Sequence, residues 1–290
     1  MTQFVSLFPK PNDQMGAPAK SAEGKTTKGP EHATGLETVR EEEVNIDKGC
    51  RLVVYTDPRS PAADRFRYFR IRLREPWEAG KVKTELITRA LPRDGKSTVA
   101  INLASALCEH GKKRVLLIEA DLHRPTLASL LGLEAGPGLA ECLTTGVNPV
   151  PFLRRLQPLG WYVLTAGGAC VNPTELLHSG VLQDLISSLS PHFDWILIDS
   201  PPVIPITDAL SVAREVDAIL MVVRAGSTPR DLVQRSVALL GRKKLLAVVL
   251  NGLESVNRMY SEYGYYDNQS SNAGPNTEAK TLDGIPAKGK

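Results

Sequence analysis

Arg93-Asp94-Gly95-Lys96-Ser97-Thr98 sits between an apolar run, Leu86-Ile87, and a helical pattern that starts near Val99. Read outward, this is strand, tight turn, helix, with Gly-Lys-Ser at the joint. A turn closing on a helix start leaves several backbone N–H groups unpaired and converging on one point. Gly95 lets that backbone approach an oxygen closely. Lys96 brings a positive charge to β- and γ-phosphates, and Ser97 offers a hydroxyl to Mg²⁺. The pattern G-x-x-x-x-G-K-[ST] is met with one change, since Ala90 stands where the first Gly is expected. Ala is still small, but it does not favour a positive φ.

Around this loop, short apolar runs alternate with longer amphipathic stretches. The runs are Arg51–Tyr55, Thr84–Thr88, Arg114–Ile118, Trp161–Leu164, Trp195–Ile198, Ala218–Val223 and Leu246–Leu250. Several are continuous Val/Ile/Leu, as strands buried on both faces must be. The alternation predicts an α/β fold with a doubly wound, mostly parallel sheet, whose ligand sits at the carboxyl ends of the strands. The predicted organisation is a disordered arm over 1–47, one P-loop domain over 48–257, and a tyrosine cluster with a disordered tail over 258–290. The arm and the tail are rich in Pro, Gly, Lys and polar residues, and cannot bury enough apolar surface to offset ordering entropy.

Composition narrows the function. The chain has 290 residues, 42% of them hydrophobic. No apolar run approaches the ~18 residues that a membrane span needs. The start has neither an early basic region nor an apolar core, so the cytoplasm is the default location. The four cysteines (Cys50, Cys108, Cys142, Cys170) show no metal-ligand spacing. A formal charge of +3 does not argue for nucleic acid.

Two strand ends supply carboxylates. Val115-Leu116-Leu117-Ile118 closes on Glu119-Ala120-Asp121, whose acids point the same way in an extended segment. They suit a Mg²⁺ water or a proton taken from a nucleophile; a helix cap is the alternative for Asp121. Trp195-Ile196-Leu197-Ile198 closes on Asp199, the arrangement in which a carboxylate steadies the metal. Four of the seven tyrosines fall at Tyr260, Tyr263, Tyr265 and Tyr266. They read as an acceptor cluster on a mobile tail, or as a packed aromatic patch. Upstream, Asp64 to Arg74 is ambiguous in period: it fits a helix with Phe66, Phe69 and Leu73 on one stripe and Arg67, Arg70 and Arg74 on another, and its alternation would also permit a strand. Ser60-Pro61 favours a helix start there.

These segments, with Ile101-Asn102-Leu103-Ala104, Asn172-Pro173-Thr174-Glu175-Leu176-Leu177, Asp199-Ser200-Pro201-Pro202, Thr207-Asp208-Ala209 and Val248-Val249-Leu250-Asn251-Gly252, resemble the bacterial tyrosine kinases of the CpsD/CapB type. The resemblance covers about residues 55–257. It implies an ATP- and Mg²⁺-dependent protein-tyrosine autokinase that regulates capsule or exopolysaccharide synthesis. By matching positions, Asp94, Gly95, Lys96, Ser97, Thr98 and Asn251 would bind nucleotide. Ser97, Asp121 and Asp199 would serve the metal, and Lys96, Glu119, Asp121 and Asp199 the chemistry. The tail tyrosines would accept phosphate. Asp64, Arg67 and Arg70 would stand where the family joins subunits into a ring, or would be a solvated basic face.

The resemblance also implies a transmembrane activator of the polysaccharide co-polymerase class, which would hold the chain at the inner face of the membrane. A cognate tyrosine phosphatase is implied, and nucleic acid is not. Two departures stand out: the family's Asp-x-Asp is here Glu119-x-Asp121, and its Arg two residues later is His123. A partitioning ATPase similar to ParA or MinD, or a nucleotide-gated scaffold with weak catalysis, are the alternatives.

Overall fold

The structure, a computed structural model, describes residues 3–6, 35–46, 51–204 and 206–253. Its centre is a sheet of β1 (Gln3–Ser6), β2 (Arg40–Glu43), β3 (Thr84–Arg89), β4 (Val115–Glu119), β5 (Arg154–Gln157), β6 (Tyr162–Leu164), β7 (Trp195–Asp199), β8 (Ala218–Arg224) and β9 (Leu245–Asn251). The spatial order is β1-β9-β8-β3-β7-β4-β6-β5-β2. The six strands from β9 through β6 run parallel; β1 on β9 and β5 on β6 are antiparallel. The helices are α1 (Val53–Thr56), α2 (Pro61–Glu78), α3 (Lys96–Cys108), α4 (Leu127–Leu131), α5 (Leu139–Thr145), α6 (Pro173–His178), α7 (Val181–Leu189), α8 (Asp208–Glu215) and α9 (Arg230–Leu240).

Successive residues of the central strands feed opposite layers. Ile87, Leu117 and Leu197 face a core built with α2 and α3, while Leu86, Leu116 and Ile196 face one built with α5 to α9. Both faces are therefore covered, and the strands need continuous apolar sequence. The doubly wound parallel fold read from the sequence is the fold observed.

Helix α2 resolves the ambiguous arginine-rich stretch. Ser60 caps it, its Oγ accepting from the Ala63 N–H at 3.2 Å, and Pro61 supplies the first helical residue. Phe66, Phe69 and Leu73 are buried, each contributing about 1.5–3 kcal/mol through burial.

Two expectations are corrected. Arg51–Tyr55 is not a strand. The side-chain amide of Asn102 accepts from the Val54 N–H at 3.1 Å and donates to the Arg51 carbonyl at 2.8 Å, and the segment turns into α1 with Leu52 buried. The 1–47 arm is ordered in two places. β1 pairs with β9, and β2 extends the opposite edge of the sheet beside β5. There Arg155 donates to Glu41 at 2.8 Å and Arg154 lies 3.4 Å from Glu42. Cys50 and the tyrosine cluster Tyr260, Tyr263, Tyr265 and Tyr266 lie outside the described residues.

Candidate nucleotide and phosphoryl-transfer site

Strand β7 lies between β3 and β4, with Asp199 opposite Ile87 on one side and Glu119 on the other. The phosphate loop leaves the carboxyl end of β3, so the register alone brings Asp199 against it. Gly95 has φ 84°, and its N–H-rich turn opens directly into the thirteen-residue α3. A Cβ at position 95 would run into the Asn251 side chain, whose amide donates to the Asp94 carbonyl at 2.9 Å. Gly95→Ala is thus strained in backbone and in space, and should abolish measurable ATP uptake in a calorimetric titration; unchanged affinity would show that the turn tolerates the clash.

Lys96 is 1% exposed at its side chain. Its Nζ lies 2.7 Å from Asp199 Oδ1 and 3.8 Å from Asp121 Oδ2. Ser97 Oγ donates to Asp199 Oδ2 at 2.7 Å and accepts from Thr126 Oγ1 at 3.1 Å. One ammonium, one hydroxyl and two carboxylates are therefore gathered at the strand tips. Mg²⁺ keeps several waters and is usually held by one or two carboxylates with substrate phosphates, rather than by an all-protein cage. The pairing of Ser97 with Asp199 fits that habit, and among the described residues no cluster of three or more His, Cys, Asp or Glu forms a ready-made cage.

Glu119 has a different task from Asp121. Its Oε1 accepts from the Leu127 N–H at 2.7 Å and from the Thr126 N–H, and its Oε2 accepts from the Ala166 N–H at 3.2 Å. Burial pushes its carboxyl up, against the pull of those three amides. Glu119 thus satisfies the open amides at the start of α4 and ties β4 to the strand end at Ala166. The cap considered for Asp121 falls instead to Glu119.

Asp94 Oδ1 accepts from Thr228 at 2.8 Å, and burial raises its carboxyl. Thr98 is half-buried, with its carbonyl taken by Asn102 at 2.8 Å. His123 Nε2 lies 2.9 Å from the buried Asp208 at the start of α8, so the loop after Asp121 is pinned by an imidazole where the resemblance expects a guanidinium.

Sequence reasoning missed Arg89. It ends β3, and its guanidinium lies 3.6 Å from Asp121 Oδ2. Its signal was available: a cation at the carboxyl end of the strand that feeds the phosphate loop. Asp64, Arg67 and Arg70 are brought together only in part. Arg67 pairs with Asp64 at 2.7 Å within α2, while Arg70 donates to the Ala106 carbonyl of α3 at 3.3 Å.

Comparison with known proteins points to one family and fold. The ParA family model, described as NUBPL iron-transfer P-loop NTPase, matches residues 94–264. Tyrosine-protein kinase YwqD of Bacillus subtilis (strain 168) is 31% identical over 226 residues, spanning 76% of this chain and 94% of that protein. The succinoglycan biosynthesis transport protein ExoP of Rhizobium meliloti (strain 1021) is 33% identical over 205 residues, 69% of this chain and 26% of that protein. Among solved structures, the kinase domain of Escherichia coli tyrosine kinase ETK superposes with a TM-score of 0.67 at 27% identity, covering 73% of this chain and 82% of that domain. With its phosphate loop, its strand-tip carboxylates and relatives that match most of its length, this chain belongs to the bacterial tyrosine kinases, built on the ParA-type P-loop NTPase fold.

Proposed function

We propose that this kinase transfers the γ-phosphoryl group of ATP to tyrosines of its own C-terminal cluster, Tyr260, Tyr263, Tyr265 and Tyr266, in a system that makes or exports exopolysaccharide or capsule. The observation that carries the reading is the buried constellation of Lys96, Ser97, Asp121 and Asp199 at the end of the phosphate loop. Lys96 and the loop amides would hold the β- and γ-phosphates. Ser97 and Asp199 would hold Mg²⁺, which when bound neutralises charge on the transferring group. Asp121 is the proposed acceptor of the tyrosyl proton: backbone amides hold both oxygens of Glu119, but only the Oδ1 of Asp121, which accepts from the Arg124 N–H at 3.2 Å. Arg89, beside Asp121, would hold that carboxylate in place.

Each phosphate added to the tail brings about −1.5 to −2 charge. Several together would repel one another and disfavour docking of the tail on a neighbouring subunit. Asp64, Arg67 and Arg70 are the proposed contacts of a ring-like assembly. Among the described residues no helix is long and apolar enough to cross a membrane. A transmembrane activator of the polysaccharide co-polymerase class is therefore the proposed link to the membrane, with a cognate phosphatase resetting the tail.

Mass spectrometry of the full chain after incubation with Mg-ATP and the activator tests this. Phosphate on the four tail tyrosines is expected, and none in Lys96→Met. Steady phosphate release with no tyrosine labelling would overturn the reading in favour of a partitioning-type ATPase.

A further inference from the structure

The end of the sheet opposite the phosphate loop is basic. Strands β9, β8, β3, β7 and β4 lie side by side in parallel, and their amino ends are level: Glu85 faces Ala218, Thr84 faces Ile196, Val115 faces Trp195, and Ile219 faces Leu245. The turns that enter three of these strands carry Lys81 and Lys83, Lys112 and Arg114, and Arg242 and Lys243. All of these are exposed except Lys83, which is half-buried.

The same edge carries two acids, Asp217, which is exposed, and Asp194, which is half-buried. Asp217 accepts from the backbone N–H groups of Lys83 and Thr84 at 2.9 and 2.8 Å, and Asp194 from that of Arg114 at 2.8 Å. Asp194 also lies 3.8 Å from the Lys113 ammonium, yet the lysines and arginines of these turns outnumber the two acids. Between the turns opens a cavity of about 340 Å³ whose lining includes Trp77, Lys83, Arg114, Pro191, Phe193 and the acid Asp194. Trp77 stacks on Trp195 with centroids 5.9 Å apart and carries the Lys113 ammonium 4.2 Å above its ring.

We propose that this edge docks directly on an anionic lipid surface, with phosphodiester headgroups against Lys83 and Arg114 at the cavity. The match is one of charge. The turns that carry these cations enter β9, β3 and β4, strands set apart along one edge of the sheet, which spreads the charge over a surface instead of gathering it at one point. Trp77, apolar in body and polar at one atom, is the residue type that sits at a membrane interface. Each lysine or arginine near such a surface strengthens partition by about fivefold. Strands of five to seven residues would then hold the phosphate loop about 20 Å from the headgroups. The inference goes beyond the proposed kinase reading and needs no catalysis.

Sedimentation of the full chain with phosphatidylcholine vesicles, neutral or one-third phosphatidylglycerol, tests it. Partition onto the anionic vesicles should be at least about tenfold stronger, and should fall in high salt. The combined variant Lys81→Gln/Lys112→Gln/Arg242→Gln should lose about tenfold or more of it while binding ATP as the wild type does. Retained nucleotide uptake shows that the variant is folded and keeps this outcome separate from the kinase reading. Equal partition on both vesicles, unaltered partition of the variant, or capture by duplex DNA with none by vesicles would each overturn the proposal.

Discussion

Lys96→Met should lower phosphoryl transfer by about 10²–10³-fold or more, the loss seen when a single preorganised electrostatic contact is removed. Here the contact is unusually concentrated. The ammonium is buried, 2.7 Å from Asp199 and 3.8 Å from Asp121. Methionine has nearly the same length and no charge, so it leaves both carboxylates beside each other without their cation. That arrangement also destabilises the fold, by about 3–5 kcal/mol when one partner of a buried pair is deleted. Rates should therefore be compared on protein whose near-ultraviolet dichroism shows native packing. A folded Lys96→Met protein that transfers phosphate within tenfold of the wild type would remove this residue from the chemistry.

The second large effect concerns stability. Glu85 is fully buried in β3, on the face shared with Ile87, and neither carboxylate oxygen has a hydrogen-bond partner among the described residues. Burial, helped by the nearby Asp217, pushes its carboxyl from 4.5 up to about 8. The folded state therefore holds this proton at pH values where the unfolded chain has already released it. Stability falls as pH rises through that window, from about 4.5 to about 8, and the penalty is complete above it. Its size is on the order of 3–5 kcal/mol. Glu85→Met, close in volume and without charge, should raise the Tm at pH 8 by several degrees. It should also flatten the decline in stability between pH 5 and pH 8, measured by urea unfolding. An equal slope in both proteins would mean that the carboxylate finds a partner on ionising.

Much of this architecture is legible in the chain itself. The central strands announce themselves because burial on both faces demands uninterrupted Val, Ile and Leu, as in Val115-Leu116-Leu117-Ile118. The phosphate loop is legible because few residue types tolerate its backbone, and Gly95 at φ 84° meets that demand. The edges are not legible. Arg40-Glu41-Glu42-Glu43 carries no apolar signal at all, and is held by Arg154 and Arg155 from a strand 112 and 114 residues away. Arg51–Tyr55 has the composition of a strand, but the side-chain amide of Asn102 turns it into a helix.

The same limit applies in the site. Glu119 and Asp121 share a face in an extended segment, and sequence alone gives them similar tasks. Only the fold brings the amides of Thr126, Leu127 and Ala166 onto Glu119 and the guanidinium of Arg89 towards Asp121. Partners distant in sequence decide what each acid does.

The account depends on nucleotide held by the loop from Asp94 to Thr98, with Lys96 at its centre. Titration of ATP into the full chain in the presence of Mg²⁺, followed by calorimetry, is the direct measurement. The expected result is saturable uptake of one nucleotide per chain, lost in Lys96→Met. A flat thermogram for the folded wild-type protein would contradict it.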